Sequence, residues 1–382
     1  MTPRLSVVHV TEPVDGGVAR CLVDFAADQA RRGWDVAVVS PPHPPFCSAV
    51  ESAGASHLPW NVPRRLAAGR RAGVPGVAQL RGLGRLASTI SGARPDVVHL
   101  HSSVAGVAGR VAIRGRATTV FQPHCWSFQA VSGPRRSAAE VWERFAARWT
   151  TMVVCVSDAE RRLGEQAGIG SPFQVVPNGV DVEAVREATE NDRASARARL
   201  GLASGPLVVC VGGLRRQKGQ DVLLDAWPTV RRAFGDASLA FVGSGPDLTL
   251  LERRAADGVH FAGERDDALD WLAVADVVAL PSRWDGMSLV LLEAMASGRS
   301  IVATDVPGVR EALGDAGAIV PVESAAALAA ALVARLGDHE LRAREGRAAR
   351  RRAETRHDVR ATSEALASSY AAALAGAREP RP

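Results

Sequence analysis

Short runs of β-branched and aliphatic residues alternate with helical patterns along nearly the whole chain. Residues 5–10, LSVVHV, predict a strand, and residues 18–33 follow with apolar side chains at helical spacing until a glycine ends the pattern. Further strands of the first half are predicted in DVAVVS, DVVHLH, TTVFQ, MVVCVS and FQVV. Because these runs are apolar on both faces, they indicate a parallel sheet covered by helices.

The turn PNGVD at residues 177–181 ends this half, and the alternation begins again near residue 206. Strands of the second half are predicted in PLVVCVGGL, SLAFVGSG, VHFAGE, DVVALPS, SIVATDV and AIVPV. The helices between them include residues 218–234 and 288–296. The expected fold is α/β, with two Rossmann-like, doubly wound domains that face each other across a cleft.

The same pattern sets the expected domain boundaries. A chain of 382 residues exceeds what one hydrophobic core usually supports. Residues 183–205 are polar and poor in large apolar groups, which is typical of a connection between domains. The predicted parts are a first domain at 1–182, this linker, a second domain at 206–356 and a C-terminal helix at 357–382 that packs back on the first domain.

Composition narrows the class of protein. A content of 47% hydrophobic and 23% charged residues is typical of a folded, soluble chain. The five cysteines are scattered without a C-x-x-C pair, which indicates neither a disulfide framework nor a zinc site. We expect a cytoplasmic protein without a signal peptide or spanning helix, in peripheral contact with the inner face of the cell membrane.

The net charge of +5 is unevenly distributed. Ten arginines and a single acid, Asp96, lie between Trp60 and Arg116. Such a block can bind an anionic membrane surface or a phosphorylated substrate, and we expect the stretch from Arg64 to Arg116 to do so. A solvated arginine-rich loop is the alternative. Few aromatic residues accompany the arginines, so nucleic acid is not an expected partner.

Lys218 is the only lysine beside 45 arginines. The segment VGGLRRQKGQ joins a predicted strand to a helix and places Gly213, Arg215 and Arg216 close to this lysine. A cation at a helix N-terminus opposes the helix dipole, so an anion is expected to balance it. Lysine supplies a compact point charge and glycines let an anion approach the backbone, so this turn is interpreted as a phosphate site. The alternative is a lysine without function on a solvated helix.

Other glycine-bearing turns follow predicted strands. Gly16 and Gly17 precede the first helix, and Gly243 and Gly245 follow a strand of the second half. Arg265 lies in the similar turn FAGERDD. Each turn alone is an ordinary connection, but together with Lys218 the later turns would surround the cleft of the second domain.

The segment PSRWDGMSLVLLEAMASG carries two acids, Asp285 in a loop and Glu293 eight positions later in a helix. The two carboxylates are expected to reach into one cavity from two directions. Backbone amides at the helix start would point into the same space, and they belong to Gly286, Met287, Ser288 and Leu289. Apolar neighbours surround Glu293, and an acid so embedded needs a partner, such as ribose hydroxyls.

These motifs resemble retaining glycosyltransferases of family 4 over nearly the whole chain. DGGVARCL, VVHLH, FQPH, VCVSDAER, VVPNGVD, VGGLRRQKGQDVLLDAW, FVGSGP and WDGMSLVLLEAMASG occur in the family's order. The resemblance implies the GT-B fold and transfer of a sugar from a nucleoside diphosphate sugar to an acceptor hydroxyl. The product would be a bacterial polysaccharide, a glycolipid or a natural-product glycan.

The resemblance also implies that the second domain binds the donor and the first domain binds the acceptor. No acidic cluster has the spacing of a divalent-ion site, so neither a metal nor another cofactor is expected beside the nucleotide-sugar co-substrate. The nucleotide base, the sugar and the acceptor stay open. Two rival functions are a nucleotide-sugar epimerase of the same fold and a noncatalytic sugar-nucleotide-binding subunit of a glycan assembly complex.

Residue by residue, the resemblance implies catalytic roles in the second domain. Lys218 matches the cation on the donor diphosphate, and Glu293 matches the acid that holds the ribose. Asp285 stands where the family usually has glutamate and would contact hydroxyls of the transferred sugar. Its side chain is shorter than glutamate by one methylene, about 1.5 Å.

In the first domain, Gly16 and Gly17 match the loop near the donor phosphate and the acceptor. His124 in FQPHCW matches a histidine placed near the sugar, although a buried structural histidine is the simpler interpretation of this residue alone. One departure concerns the diphosphate site, because Gly213 replaces an arginine that usually partners the lysine. Arg215 or Arg216 in the same turn would have to substitute for it.

Overall fold

The computed structural model describes residues 4–61, 77–185, 190–202 and 205–377. The chain folds into two compact units. The first unit comprises Met1–Pro177 and Thr362–Pro382, and the second comprises Asn178–Ala361. Each unit is a parallel sheet with helices between its strands, so the predicted α/β class with two doubly wound sheets is confirmed.

The first unit contains one parallel sheet. Its strands are β1 Ser6–Thr11, β2 Asp35–Ser40, β3 Ser56–Pro59, β4 Val97–His101, β5 Thr118–Gln122, β6 Met152–Cys155 and β7 Phe173–Val175. Its helices are α1 Gly16–Arg31, α2 Pro44–Ser52, α3 Val77–Gly92, α4 Ser102–Ile113, α5 Pro134–Ala146 and α6 Asp158–Gln166. The strand order among the described residues is β3-β2-β1-β4-β5-β6-β7. Strand β4 is buried along its whole length, as expected for a sheet covered on both faces.

The second unit repeats this architecture. Its strands are β8 Leu207–Val211, β9 Ser238–Val242, β10 Val259–Gly263, β11 Val277–Leu280, β12 Ser300–Thr304 and β13 Ala318–Val320. Its helices are α7 Glu190–Arg199, α8 Gln220–Ala233, α9 Leu248–Arg254, α10 Ala268–Val274, α11 Leu289–Ala296, α12 Val309–Leu313, α13 Ala325–Leu336 and α14 His339–Arg356. Its described strands have the order β10-β9-β8-β11-β12-β13. A last helix, α15 Val359–Gly376, begins in the second unit and continues in the first.

Each sheet reverses its strand order at one point. The reversal lies between β1 and β4 in the first unit and between β8 and β11 in the second. The connections that leave these neighbouring strands run to opposite sides of the sheet and open a crevice at the carboxyl ends of the strands, where open α/β sheets bind ligands. The residues that follow β8 and β11 are therefore where a site is expected in the second unit.

The division between the units differs from the predicted boundary at residue 182. It falls after Pro177, because Asn178 and Val180 already bond within the second unit. The Asn178 side-chain amide donates to the Met287 carbonyl oxygen at 2.6 Å, and the Val180 N–H donates to the His357 carbonyl oxygen at 2.8 Å.

The predicted linker and the predicted tail boundary also need correction. The described residues between 183 and 205 group with the second unit, and they include α7, in which Arg197 forms an ion pair with Asp276 at 2.7 Å. That ion pair fixes a segment that the polar composition alone presents as a connection. The second unit extends to Ala361, beyond the predicted end at residue 356, and the described part of the C-terminal segment from Thr362 groups with the first unit.

The predicted helix over residues 218–234 begins later than expected. Arg216–Lys218 forms a short 3-10 turn, and α8 begins at Gln220. Between them, Gly219 has a left-handed backbone with φ of 66°. A Cβ atom here would collide with the Pro281 carbonyl oxygen, so this position requires glycine. Lys218 therefore lies in the turn that precedes the helix.

Candidate active site

A pocket opens at the crevice of the second unit. Its walls include Cys210 and Val211 at the end of β8, together with apolar side chains from the loop and helices after β11. Four lining side chains can bind a polar ligand, and they are Lys218, Ser282, Asp285 and Ser288. The pocket thus combines a mostly apolar wall with a few convergent polar groups, as ligand sites usually do.

An ion pair between Lys218 and Asp285 forms the polar centre of this pocket. The Lys218 Nζ lies 2.5 Å from the Asp285 Oδ2, and the two side chains are 25% and 15% exposed. The Gly286 N–H donates to the other carboxylate oxygen of Asp285 at 3.1 Å. Asp285 thus supplies the anion that was expected to balance Lys218. An incoming phosphate would have to displace this carboxylate from the ammonium group.

Hydrogen bonds join the turn that carries Lys218 to the loop that carries Asp285. The Arg283 N–H donates to the Gln217 carbonyl oxygen at 2.8 Å, and the Gln217 side chain donates to the Trp284 carbonyl oxygen at 3.1 Å. The Arg283 guanidinium also donates to both carboxylate oxygens of Asp221 at 2.7 and 2.8 Å. Hydrogen bonds to Asp221 and then Glu323 raise the pKa of Arg283. These contacts hold the ammonium and carboxylate groups opposite each other.

Arg215 occupies the space that Gly213 leaves free. A Cβ atom at position 213 would lie 2.9 Å from both Nε and Nη2 of Arg215. Arg216 points elsewhere, with its guanidinium 5.6 Å from the centre of the Trp284 ring. Of the two arginines expected as substitutes at this position, Arg215 is therefore the one whose guanidinium packs against Gly213.

Glu293 does not line this pocket, although the sequence predicts that it shares a cavity with Asp285. It lies on α11, 2% exposed, and α11 contributes Leu291 to the pocket wall. Two residues correspond to a rotation of roughly 200° around a helix, so the Leu291 and Glu293 side chains point in opposite directions. The structure brings together Lys218, Asp285 and Ser288, whereas Met287 and Leu289 are buried beside them.

The remaining predicted donor-binding residues of the second unit lie outside the pocket lining. Gly243 and Gly245 allow close backbone approach, because a Cβ atom at either position would collide with the backbone of Gly212 or Leu214. Arg265 is exposed, and its guanidinium donates to both carboxylate oxygens of Asp267 at 2.8 and 2.6 Å. That ion pair already engages the charge of Arg265.

Three predicted site residues follow strands of the first unit. Gly16 and Gly17 are exposed at the start of α1, and Gly16 has a φ of 67°. His124 follows β5 and has a φ of 56°, which is unusual for a residue with a side chain. Its ring is partly buried, and its Nε2 lies 3.0 Å from the Nδ1 of His101.

A cluster of buried histidines in the first unit was not predicted from the sequence. His9 on β1 and His99 and His101 on β4 have no exposed surface, and one ring nitrogen of each lies within 4.8 Å of the others. Two residues apart on a strand, His99 and His101 share a face, and the β1–β4 register places His9 opposite His99. Three neutral imidazoles at this spacing are the kind of group that can hold zinc. The alternation in VVHLH is the signal that could have revealed them.

Burial keeps these imidazoles neutral. It lowers the pKa of His9 to about 4 and of His124 to about 3, and it lowers the pKa values of His99 and His101 well below 6.5. Below pH 6.5 the unfolded chain therefore binds more protons than the folded chain. Stability is full above pH 6.5 and is lost as the pH falls toward the folded-state pKa values.

Acidification from pH 7.5 to 6.0 should lower the free energy of unfolding of the first unit by roughly 3 kcal/mol, from linkage at His9, His99, His101 and His124. Urea unfolding followed by circular dichroism at the two pH values measures this change. The His9→Gln variant should show a smaller dependence on pH. Equal stability at both pH values would contradict neutral, buried imidazoles.

The arginine-rich stretch is only partly an exposed surface. Arg64, Arg65, Arg70 and Arg71 lie outside the described residues. Arg110 is buried, because it forms an ion pair with Glu143 at 2.8 Å and stacks 4.0 Å from the centre of the Phe121 ring. It is therefore unavailable to a membrane. Arg81, Arg85, Arg94, Arg114 and Arg116 are exposed. Within the ranges given above, no helix has the length and apolar character needed to cross a membrane.

Comparison with known proteins identifies the family. The model described as Glycosyltransferase Family 4 matches residues 15–184, and the model described as Glycosyl transferases group 1 matches residues 205–338. The phosphatidyl-myo-inositol mannosyltransferase of Mycolicibacterium smegmatis is 31% identical over 348 residues, which cover 86% of this chain and 83% of that relative. The chain belongs to glycosyltransferase family 4, as the motifs predicted, and it is a glycosyltransferase.

Two further similarities concern a second mannosyltransferase and a solved structure. A Corynebacterium glutamicum relative is named GDP-mannose-dependent monoacylated alpha-(1-6)-phosphatidylinositol monomannoside mannosyltransferase. It is 35% identical over 208 residues, which cover 51% of this chain and 55% of the relative. The crystal structure of Anabaena Alr3699/HepE in complex with UDP and glucose has a TM-score of 0.82 and 21% identity, and the match covers 97% of this chain and 100% of that chain. This likeness supports the predicted GT-B fold.

Proposed function

We propose that this protein transfers mannose from GDP-mannose to a phosphatidylinositol-type glycolipid, with retention of the anomeric configuration. The names of the Mycolicibacterium and Corynebacterium relatives support the sugar, the nucleotide and the class of acceptor. Within the chain, the observation that carries the proposal is the Lys218–Asp285 ion pair inside the pocket at the crevice of the second unit. The first unit would bind the acceptor.

In this proposal the donor breaks the ion pair as it binds. Its diphosphate takes the place of Asp285 on the Lys218 ammonium group, and the released carboxylate accepts hydrogen bonds from hydroxyls of mannose. The Ser288 hydroxyl makes no capping hydrogen bond to α11 and faces the pocket, so it can donate to a phosphate oxygen. The family resemblance assigns the ribose to Glu293, but this side chain does not line the pocket, so the proposal includes no contact between Glu293 and the ribose.

The proposed reaction breaks the bond between the anomeric carbon and the diphosphate oxygen. Negative charge then develops on the leaving GDP, where Lys218 is already oriented, and positive character develops on the sugar. The acceptor hydroxyl forms the new bond on the same face, and its proton passes to an oxygen of the leaving phosphate. The products are GDP and the mannosylated acceptor. No metal ion takes part in the proposed steps.

A panel of nucleotide sugars tests this function. GDP-mannose should raise the melting temperature, since a ligand at 100 times its Kd adds about 2.7 kcal/mol of stability, and GDP should be released when phosphatidylinositol vesicles are added. Conversion of the donor without any acceptor would identify an epimerase. Donor binding without transfer to any tested acceptor would indicate a noncatalytic binding protein.

Arg215 should matter more for donor use than Arg216. Because its guanidinium packs against Gly213 beside the proposed diphosphate site, Arg215→Ala should lower kcat/KM for the donor on the order of tenfold, the effect of one charge-assisted hydrogen bond. Arg216→Ala is the matched control and should stay within a factor of about three. Initial rates at varied donor concentration measure both values. A larger loss in Arg216→Ala would reverse the assignment.

We also propose peripheral attachment to an anionic membrane. The exposed Arg81, Arg85 and Arg94 would contribute to it, together with the arginines outside the described residues. Sedimentation with vesicles that contain phosphatidylinositol should pull down the protein at low salt, and less of it at 0.5 M salt, because salt screens exposed charges. Equal sedimentation with neutral and anionic vesicles would contradict this attachment.

A further inference from the structure

A chain of hydrogen bonds runs through the interior of the first unit and begins at α15. The hydroxyl of Tyr370, the only tyrosine of the sequence, lies 2.7 Å from the Nδ1 of His99. The Gln29 side-chain amide nitrogen donates to the same hydroxyl at 3.5 Å. The carbonyl oxygen of the same amide lies 2.9 Å from the Nε2 of His9. These side chains are fully or almost fully buried.

The chain continues from His9 to the candidate site residue His124. The Nδ1 of His9 lies 2.9 Å from the Nε2 of His101, and the Nδ1 of His101 lies 3.0 Å from the Nε2 of His124. A continuous series of contacts therefore connects a buried glutamine on α1 to a partly exposed histidine after β5. His9 and His101 each use both ring nitrogens in this series, whereas His124 uses one.

The orientation of the Gln29 amide sets the proton positions from His9 to His124. In this structure its carbonyl oxygen faces His9 and can only accept, so the Nε2 of His9 carries the proton. In a neutral ring the other nitrogen then accepts, so the proton between His9 and His101 belongs to the Nε2 of His101. The same reasoning leaves the Nδ1 of His101 as an acceptor, and the Nε2 of His124 must donate to it.

His124 therefore presents an unprotonated Nδ1. Apart from its bond to His101, His124 makes no hydrogen bond to the described residues, and its side chain is partly exposed. Its backbone is held at a φ of 56°, a conformation that costs free energy for a residue with a side chain and that occurs preferentially at functional sites. The free nitrogen is an acceptor for a ligand hydroxyl.

We propose that Gln29, His9 and His101 are positioning residues that hold His124 as the Nε2-protonated tautomer, so that its Nδ1 accepts a hydrogen bond from a hydroxyl of the acceptor bound at the first unit. The acceptor in this statement rests on the proposed function. The tautomer rests on the geometry of the first unit alone. Burial lowers the pKa of each imidazole, which keeps all four rings neutral and the series intact at physiological pH.

A metal ion would be the other use of these histidines. Both His9 and His101 would then direct a lone pair at the ion. In this structure, their facing nitrogens are 2.9 Å apart and form a hydrogen bond, in which one of the two nitrogens carries a proton. The outward nitrogens of His9 and His101 bond to Gln29 and His124, so hydrogen bonding accounts for the approach of these two rings. Zinc at one equivalent in the purified full-length protein, measured by elemental analysis, would overturn the proposal.

Nuclear magnetic resonance can read the tautomer directly. In the full-length protein labelled with ¹⁵N-histidine, long-range ¹H–¹⁵N correlation spectra distinguish Nε2–H from Nδ1–H rings, and the His124→Gln variant identifies the signals of His124. We expect the Nε2–H pattern for His124. An Nδ1–H pattern in the unmodified protein would overturn the proposal.

The Gln29→Glu variant should reverse the series. A buried carboxylate next to His9 favours its protonated form, which donates from both nitrogens. His101 must then accept at Nε2 and donate from Nδ1, so the proton of His124 moves to its Nδ1. We expect this shift, together with a fall in kcat of about tenfold at an unchanged fold, which corresponds to the loss of one hydrogen bond to the ligand hydroxyl.

Gln174→Glu, an exposed exchange of the same kind on β7, is the matched control and should leave both the spectrum of His124 and kcat unchanged. An unchanged His124 tautomer in a folded Gln29→Glu variant would contradict the proposal. The spectra need neither donor nor acceptor. A wrong tautomer therefore refutes this inference alone, whereas the expected tautomer without mannose transfer refutes only the proposed function.

Discussion

Replacing Lys218 by alanine should lower kcat by about 10²–10³-fold, the usual loss when one preorganised group for developing charge is removed. In the proposed reaction, the Lys218 ammonium group contacts the diphosphate of the donor. Negative charge develops on this diphosphate as GDP leaves. In the variant, Asp285 would face the incoming diphosphate without a cation between them, so the KM for the donor should rise as well. Initial rates of GDP release at varied donor concentration measure both effects.

The melting temperature should change little in this variant, because Lys218 is 25% exposed and its ion pair is not deeply buried. Arg232→Ala removes an exposed cation from the last turn of the following helix, α8, and should retain normal rates. Lys218→Arg should restore little activity, because the planar guanidinium differs from an ammonium point charge in shape and donor geometry. A folded Lys218→Ala variant with more than a third of the normal kcat would contradict the assignment.

Replacing Glu143 by glutamine should lower the free energy of unfolding by about 3–5 kcal/mol, the cost of leaving a buried charge without its partner. The side chains of Arg110 and Glu143 are only 2% and 1% exposed, so water cannot compensate the cation that remains. Arg110 also stacks on Phe121, three residues before His124, and the damage should therefore extend to the candidate site. Urea unfolding followed by circular dichroism measures the loss.

The double variant Arg110→Met and Glu143→Leu should recover most of this stability, since apolar side chains of similar volume avoid the desolvation cost of both charges. Arg136→Ala and Glu140→Ala break the exposed pair on the same helix and serve as controls, with expected losses below about 1 kcal/mol. A loss below about 1 kcal/mol for Glu143→Gln would show that Arg110 finds another partner.

The sequence predicted the two parallel sheets because many of their strands are continuous apolar runs, such as β8 and β11, which require cover on both faces. Boundaries were less accurate where one contact decides them. Helix α8 begins at Gln220 and not at the predicted residue 218, because Gly219 packs against the Pro281 carbonyl and adopts a left-handed backbone. The segment predicted as a linker belongs to the second unit, and the ion pair of Arg197 with Asp276 holds its helix α7 there.

The candidate site was predictable where its chemistry is local. Lys218 stands out as the only lysine, and Asp285 stands out in a glycine-bearing loop before a helix. Their pairing spans 67 positions in the chain and depends on the adjacency of β8 and β11. The hydrogen-bond series in the first unit joins residues up to 341 positions apart, such as Gln29 and Tyr370. No local pattern reveals such partners, because they are set by strand order and register.

A structure of the complex with GDP-mannose would show whether Lys218 binds the diphosphate. We expect the Lys218 Nζ to lie about 3 Å from an oxygen of the diphosphate, and the Asp285 carboxylate to have left the ammonium group and to bind hydroxyls of the sugar. A diphosphate bound elsewhere, with the Lys218–Asp285 ion pair intact, would contradict it.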